Sequence, residues 1–108
     1  MTNYKFGQTV LVEFPHTDFL KTSKRPAVVI YDSGDQDVLV ARVTTQKYTT
    51  EVDYHIPDWK GCGLLAESYI RLSKLATIEK QYVIKQIGVL KISEIAVLKS
   101  ILRKIFCD

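Results

Sequence analysis

The chain has 108 residues, enough for one domain with its own hydrophobic core. Hydrophobic residues make up 46% of it and charged residues 25%, which is typical of globular proteins and excludes a disordered or fibrous chain. The formal net charge of +3 permits an anionic partner but is lower than that of a strongly basic nucleic-acid-binding domain.

Cysteine usage and the N-terminal sequence narrow the class of protein further. Cys62 and Cys107 are far apart in the sequence, and neither has a second cysteine or a histidine at a metal-binding spacing. We therefore expect no disulfide framework, no metal site and no cofactor. The first residues lack the apolar segment of a signal peptide, and no window approaches the ~20 apolar residues of a membrane span. These features predict a cytoplasmic protein without a membrane partner.

The first half of the chain predicts an antiparallel meander of short strands. Residues 15–24 form a polar segment and predict a loop, after which Pro26 favours an extended conformation for Arg25. A turn at residues 33–35 would join the second and third strands as a hairpin. The strand segments, chosen for their apolar, β-branched or alternating residues, are residues 9–14, 27–31, 37–43 and 52–56.

The second half alternates in hydrophobicity and then becomes helical. From Ser93 the apolar residues recur at helical spacing, which predicts an amphipathic helix over residues 93–106. Together the elements predict a single domain, residues 1–108, that is mainly β with a C-terminal α-helix and forms a small, partly closed antiparallel barrel. Residues 68–75 read as a strand with Tyr69, Arg71 and Ser73 on one face and Ile70, Leu72 and Lys74 on the other.

Three segments in this order resemble the MazF/PemK family of toxins. They are GQTVLVEF at 7–14 with KRPAVVI at 24–30, ARVTTQ at 41–46, and GLLAESYIRLSKLATIEK at 63–80. The resemblance spans nearly the whole chain and implies an SH3-like (CcdB/PemK-type) barrel that forms homodimers. It also implies an mRNA interferase, the toxin of a type II toxin-antitoxin system, which cleaves single-stranded RNA and is neutralised by a cognate antitoxin.

The resemblance also supplies candidate catalytic residues. Arg25 and Thr44 match the family's usual catalytic pair, and Arg71 matches a further catalytic arginine of one branch. Ser68 matches the serine that opens the strand containing Arg71. The chain departs from the family pattern at three positions: Leu20 stands near the usual place of a glutamate, Ser73 replaces an acidic residue, and Ala76 replaces an arginine.

Arginine and threonine suit RNA cleavage without a metal ion for different reasons. The planar guanidinium of Arg25 stays cationic and can grip two phosphate oxygens, which would stabilise the charge of a phosphorane. The Thr44 hydroxyl can position a phosphate oxygen or the 2′-OH by hydrogen bonding. His16, in the loop before Arg25, is the candidate for proton transfer, with His55 as the second choice. Each histidine could instead be an ordinary surface or strand residue.

Other residues are candidates for binding the RNA strand. Basic and polar side chains near the Arg25 and Thr44 segments could line a groove, and aromatic side chains could stack on bases. These candidates are Lys24, Thr45, Gln46, Lys47, Ser68, Ser73, Phe19 and Trp59. Core packing is the alternative for the aromatic residues, and a solvated turn or surface is the alternative for the polar ones.

Two other functions fit the same sequence. The departures at Leu20, Ser73 and Ala76 are also compatible with a binding module that keeps the fold and contacts an antitoxin or nucleic acid without cleaving it. A gyrase-poisoning toxin with a related barrel is a third interpretation. That function would require Ile105 and Phe106, near the C-terminus, to insert into a protein partner.

Overall fold

The computed structural model describes residues 2–15 and 22–107, which form a six-stranded antiparallel sheet followed by a C-terminal helix. The elements are β1 (Gln8–Pro15), β2 (Thr22–Tyr31), β3 (Asp37–Thr44), β4 (Asp53–His55), β5 (Tyr69–Glu79), a 3₁₀ turn (Lys80–Tyr82), β6 (Val83–Val89) and α1 (Ile92–Cys107). The strand order across the sheet is β4-β5-β3-β2-β1-β6. Within the described ranges the edge strands β4 and β6 do not pair with each other, so the barrel is not closed.

The predicted class, mainly β with a C-terminal α-helix, is confirmed, and α1 agrees closely with the predicted helix at residues 93–106. The strand boundaries differ by more than one residue in two places: β2 begins at Thr22, inside the predicted loop 15–24, and β5 continues to Glu79. The sequence did not delimit β6, because most side chains of this edge strand are exposed and show no apolar alternation. The helix α1 lacks the length and apolar character that a membrane crossing requires.

The hydrophobic core lies on both faces of the sheet. On one face, which we call the helix face, Leu98 and Ile101 of α1 belong to a buried cluster with residues of the central strands. The opposite face, which we call the valine face, carries a second cluster of small aliphatic side chains. This cluster consists of Val10, Val12, Ala27, Val29, Val38 and Val40, all at most 1% exposed. Because full burial of a valine is worth roughly 1.5–3 kcal/mol, both faces contribute to holding the sheet together.

The pairing of β3 with β5 contains a register shift. Arg42 lies opposite Arg71, whereas the preceding residue, Ala41, lies opposite Leu75. Residues 72–74 of β5 therefore have no partner on β3. Such an irregularity bends the strand and redirects its side chains, as in a β-bulge.

The shift changes which face the second half of β5 presents. Ile70 and Leu72 are buried in the helix-face cluster, as the alternation predicted. Beyond the shift, Ala76 pairs with Val40 of the valine face, and Lys74 lines a cleft on that same face. The sequence placed Lys74 on the face of Leu72, and this position is corrected because an odd number of extra residues inverts the alternation.

A second irregularity occurs where β2 leaves β3. Pro26 has no N–H group to donate to a neighbouring strand, and the pairing of β2 with β3 ends at the next residue, Ala27, opposite Arg42. Pairing of β2 with β1 nevertheless continues as far as Thr22. The two strands β2 and β3 therefore diverge at Arg25, and this divergence makes room for a cleft.

The Asp32 carboxylate ties three separate segments of the chain together. It accepts hydrogen bonds from the backbone N–H of Tyr4 at 2.7 Å and of Gly34 at 2.8 Å, and it pairs with the Lys80 ammonium at 2.9 Å. Gly34 has a φ of 91°, a left-handed conformation that glycine adopts without strain. The Tyr4 N–H bond, aided by Lys80 and Gly34, outweighs burial and lowers the pKa of Asp32 from an ordinary 3.8 to about 2.

We expect Asp32→Asn to destabilise the fold at neutral pH. A carboxyl with a lowered folded-state pKa stabilises the protein above its unfolded-state pKa, and this contribution is lost as the pH falls through the folded-state value of about 2. Urea unfolding of the variant and the wild type should therefore differ at pH 7 and converge as the pH is lowered below about 4. Glu51→Gln, which removes an exposed carboxylate, is the control. A difference that persists unchanged at low pH would contradict this account.

Candidate functional site

A cleft with a basic lining opens on the valine face. It has a volume of about 380 Å³. Three cationic side chains line it, and among the described residues none of those lining it is acidic. We call it the basic cleft, and its lining residues are Phe14, Ser23, Arg25, Val40, Arg42, Lys74, Leu75 and Ala76.

Arg25 is an exposed side chain of this cleft. It lies in β2 opposite Val12, a residue of the valine face, and one residue before Pro26. Its guanidinium forms no hydrogen bond or ion pair with any other residue in the described parts of the chain. All of its donors are consequently available to a ligand, and a guanidinium prefers a phosphate or carboxylate.

Thr44 lies on the same face as Arg25. Arg25 is two residues before Ala27 and Thr44 is two residues after Arg42, and Ala27 and Arg42 pair directly, so strand alternation puts both side chains on the valine face. The Thr44 hydroxyl oxygen accepts the backbone N–H of Gln46 at 3.1 Å. The hydroxyl hydrogen can still be donated to a second group, because a hydroxyl both donates and accepts.

Arg71 also belongs to this face, but its charge is already compensated. Its Nε donates to Asp53 Oδ1 at 3.1 Å, and its guanidinium carbon lies 3.6 Å from the centre of the Tyr48 ring. Burial raises the pKa of Asp53, but hydrogen bonds from Thr50 and Arg71 outweigh it and hold that pKa below its usual value. Arg71 therefore anchors the loop between β3 and β4, and it is less available to a phosphate than Arg25.

His55 lies in a separate polar pocket of about 350 Å³ that Lys47 also lines. Its Nε2 is 2.8 Å from Glu67 Oε1, and its ring lies 5.1 Å from the ring of Tyr69. Strands β5 and β3 separate β4 from β2, so His55 and Arg25 lie on strands that are not neighbours. The Nε2 atom of His55 is also already paired with Glu67, which leaves it less available to a phosphate.

Three of the predicted RNA-binding residues lie on the other side of the sheet. Lys24, Thr45 and Ser68 line a groove of about 340 Å³ on the helix face. The Ser68 side chain is 2% exposed, and its hydroxyl donates to the carbonyl of Ala66 at 2.7 Å. The structure therefore does not bring these three residues together with Arg25 and Thr44.

The remaining predicted residues have varied positions. Trp59 packs against the helix-face cluster, with the Lys60 ammonium 5.4 Å from the centre of its ring. Gln46 follows Thr44 in the loop before β4, and its side-chain oxygen accepts the Tyr48 hydroxyl at 3.3 Å. Ser73 is exposed within the unpaired segment of β5. His16, Phe19 and Leu20 lie outside the described residues.

Comparisons with known proteins identify the family. The sequence model of the PemK-like, MazF-like toxins of type II toxin-antitoxin systems matches residues 5–106. The chain belongs to this toxin family. A search of curated proteins by sequence finds no match.

Solved structures with the same fold include other toxins at low sequence identity. MazF in the MazE-MazF complex from Deinococcus radiodurans superposes with a TM-score of 0.80 at 13% identity, covering 99% of this toxin and 98% of that chain. An endoribonuclease in complex with its cognate antitoxin from a mycobacterial species superposes with a TM-score of 0.74 at 15% identity. The match covers 94% of this toxin and 92% of that chain. Mycobacterium tuberculosis toxin MazF-mt6 superposes with a TM-score of 0.72 at 20% identity. The match covers 91% of this toxin and 96% of that chain.

Two basic residues of the cleft were not among the sequence candidates. Arg42 is recognisable from the pattern, because it alternates with the buried residues Ala41 and Val43 and shares the parity of Thr44. Lys74 is not, because its face depends on the register shift between β3 and β5, which no residue type marks. The toxin therefore has a larger basic surface near Arg25 than its motifs indicate.

Replacing the two arginines should affect stability differently. Arg71→Gln should lower the free energy of unfolding by about 1–3 kcal/mol, because the buried Asp53 carboxylate loses its charged donor. Arg25→Gln should change it by less than about 0.5 kcal/mol, because Arg25 has no partner among the described residues. Urea unfolding of both variants measures the difference. Equal losses would show that Arg25 has a structural role of its own.

Proposed function

We propose that this toxin is an endoribonuclease that cleaves single-stranded RNA in the cytoplasm by transesterification without a metal ion. The observation that carries the proposal is the exposed Arg25, which has no carboxylate partner in the described chain and shares a face with Thr44. Membership of the PemK-like, MazF-like toxin family supports the same function. The similar endoribonuclease from a mycobacterial species is consistent with it.

The reaction needs three tasks, and Arg25 and Thr44 suit two of them. The 2′-oxygen forms a bond to phosphorus, the bond to the 5′-oxygen breaks, and the products are a 2′,3′-cyclic phosphate and a 5′-hydroxyl. Arg25 would stabilise the additional negative charge on the phosphorane oxygens with two parallel hydrogen bonds. Thr44 would donate its hydroxyl hydrogen to a phosphate oxygen and so fix the phosphate for in-line attack.

The third task is proton transfer, and we assign it to His16. The 2′-OH must lose a proton and the 5′-oxygen must gain one, which suits a side chain that titrates near neutral pH. An arginine suits this task poorly, because a guanidinium is not deprotonated in proteins under ordinary conditions. His55 is the second histidine, but its Nε2 is paired with Glu67 and it lies on β4, three strands away from β2.

We further propose that the toxin forms a homodimer and is neutralised by a cognate antitoxin. Two of the similar structures are toxins solved with their antitoxins. Large apolar side chains on β6, on α1 and at their junction remain exposed in the described chain, and a second copy could cover some of them. These residues are Ile84, Val89, Ile92, Val97 and Phe106.

Cleavage of an unstructured RNA in the presence of EDTA tests the proposed activity directly. The wild type should cleave, and Arg25→Ala should lower the rate about 10²–10³-fold, because removal of one donor that stabilises the transition-state charge has an effect of that size. Arg103→Ala, an exposed arginine of α1, is the matched control and should keep the wild-type rate. Wild-type cleavage that disappears with EDTA would overturn the metal-free mechanism.

A pair of histidine variants tests the assignment of proton transfer. His16→Ala should lower the cleavage rate about 10²–10⁴-fold, the usual contribution of a positioned acid or base. His55→Ala should have a much smaller effect, because the His55 ring is already paired with Glu67 and lies on β4, three strands away from β2. Single-turnover rates give the comparison, and a larger loss in His55→Ala would reverse the assignment.

Binding without cleavage is the alternative, and one observation favours it. The described residues that line the basic cleft include no carboxylate to act as a general base. A folded wild type that binds RNA or the antitoxin but cleaves none of a broad set of RNAs would establish this function instead.

A further inference from the structure

We propose that the basic cleft binds the nucleotide next to the cleaved bond, with Arg42 and Lys74 on its phosphate and the apolar floor under its base. This subsite rests on the proposed RNA substrate, and it extends the site beyond Arg25 and Thr44. Three features of the cleft carry the inference. Its positive charge is not balanced by carboxylates, its floor is apolar, and it is separate from the pocket that contains His55.

The charge of the cleft is positive and uncompensated. Arg42 and Lys74 are exposed, and neither forms an ion pair with a described carboxylate. Together with Arg25 they bring three like charges to one cleft. Like charges repel one another, so this arrangement opposes folding slightly, and a bound polyanion would relieve it. Arg25 would hold the scissile phosphate. Arg42 and Lys74 would then hold an adjacent phosphate of the RNA strand.

The floor of the cleft is apolar. Val40 is 1% exposed, Phe14 is half-buried, and Ala76 completes the apolar part of the floor. A nucleobase presents two apolar faces and a polar edge, so it can lie on such a floor while its phosphate stays among the cations. The volume of about 380 Å³ falls within the range of roughly 300–1,000 Å³ found for small-ligand sites.

The small side chain of Ala76 keeps this floor accessible. Ala76 is exposed, pairs with Val40, and follows the unpaired segment 72–74 that puts Lys74 on the valine face. A larger side chain at position 76 would project into the cleft and occupy the space assigned to the base. The register shift therefore supplies a cation and an opening at neighbouring positions.

Two other pockets of the described chain suit a nucleotide less well. The pocket containing His55 is lined by the carboxylates Asp53 and Glu67, which would repel a phosphate. The groove lined by Lys24 and Ser68 lies on the helix face, away from Arg25 and Thr44. Of these three sites, the basic cleft alone combines cations, an apolar floor and a position beside Arg25.

Binding of a non-cleavable RNA at several salt concentrations tests the phosphate contacts. A fluorescent 2′-O-methyl oligonucleotide of mixed sequence lacks the nucleophile, so binding is measured without cleavage. Arg42→Gln and Lys74→Gln should each reduce the slope of log K against log salt concentration by about 0.7, the value for one phosphate contact with a single strand. Arg103→Gln and Lys104→Gln, exposed residues of α1, are matched controls for the loss of charge and should leave the slope unchanged.

A variant that fills the cleft tests the apolar floor separately. Ala76→Leu should weaken binding about tenfold, because one base can no longer stack on the floor, and it should leave the salt slope unchanged. Ala96→Leu, the same substitution at an exposed position of α1, should bind like the wild type. The thermal unfolding midpoint of each variant shows whether it is folded.

The outcomes separate this inference from the proposed function. Reduced slopes in the two cleft variants, together with weaker binding by Ala76→Leu, support the subsite even if the wild type proves unable to cleave RNA. Slopes that match those of the α1 controls overturn the subsite, and wild-type cleavage in the same preparation leaves the proposed endoribonuclease standing. A wild type that neither binds nor cleaves RNA overturns both.

Discussion

The register shift between β3 and β5 is the constraint on which the rest of the structure depends. Before the shift, β5 sends Ile70 and Leu72 into the core beneath α1. After it, the same strand presents Lys74 and Ala76 on the valine face. Because strand side chains alternate with period two, the odd number of unpaired residues moves the even-numbered side chains of β5 from the helix face to the valine face. Leu72 also donates its N–H to the carbonyl of Val52 at 3.1 Å, so the unpaired segment remains bonded to the chain before β4.

The arginines of the valine face show that residue type alone does not define a role. Arg71 is held by Asp53 and Tyr48 and is only 18% exposed, so most of its favourable interactions are already made within the fold. Arg25 is exposed and has no such partner in the described chain. A ligand phosphate would have to compete with Asp53 for the guanidinium of Arg71, whereas it would meet no such competitor at Arg25. Arg71 is already paired within the fold and Arg25 is not. For this reason, rather than because of a motif, we assign the binding of the scissile phosphate to Arg25.

The fold was predictable from the sequence to a greater extent than the site. Short apolar segments predicted the main strands, and helical spacing after Ser93 predicted α1, because these patterns record burial directly. Face assignments failed at Lys74, since pairing register depends on the partner strand and not on local residue type. Ser68 was assigned to the RNA site from its place in a motif, yet the parity that it shares with Ile70 already put it on the helix face. The edge strand β6 contains apolar residues, but they do not alternate, so the sequence did not delimit it.

Local rules of strand formation are broken around Arg25 at three points. Pro26 stands within a strand that has neighbours on both sides, residues 72–74 have no β3 partner, and three cations meet without a carboxylate among the described lining residues. Each of these features weakens the sheet. The proline and the unpaired segment remove ladder hydrogen bonds, and the three cations repel one another. None is needed by the buried valine cluster, which lies next to them with regular alternation. Features that oppose stability and converge on one cleft are typical of a binding site, because a uniform sheet would leave no opening between β2 and β3 for a ligand to enter.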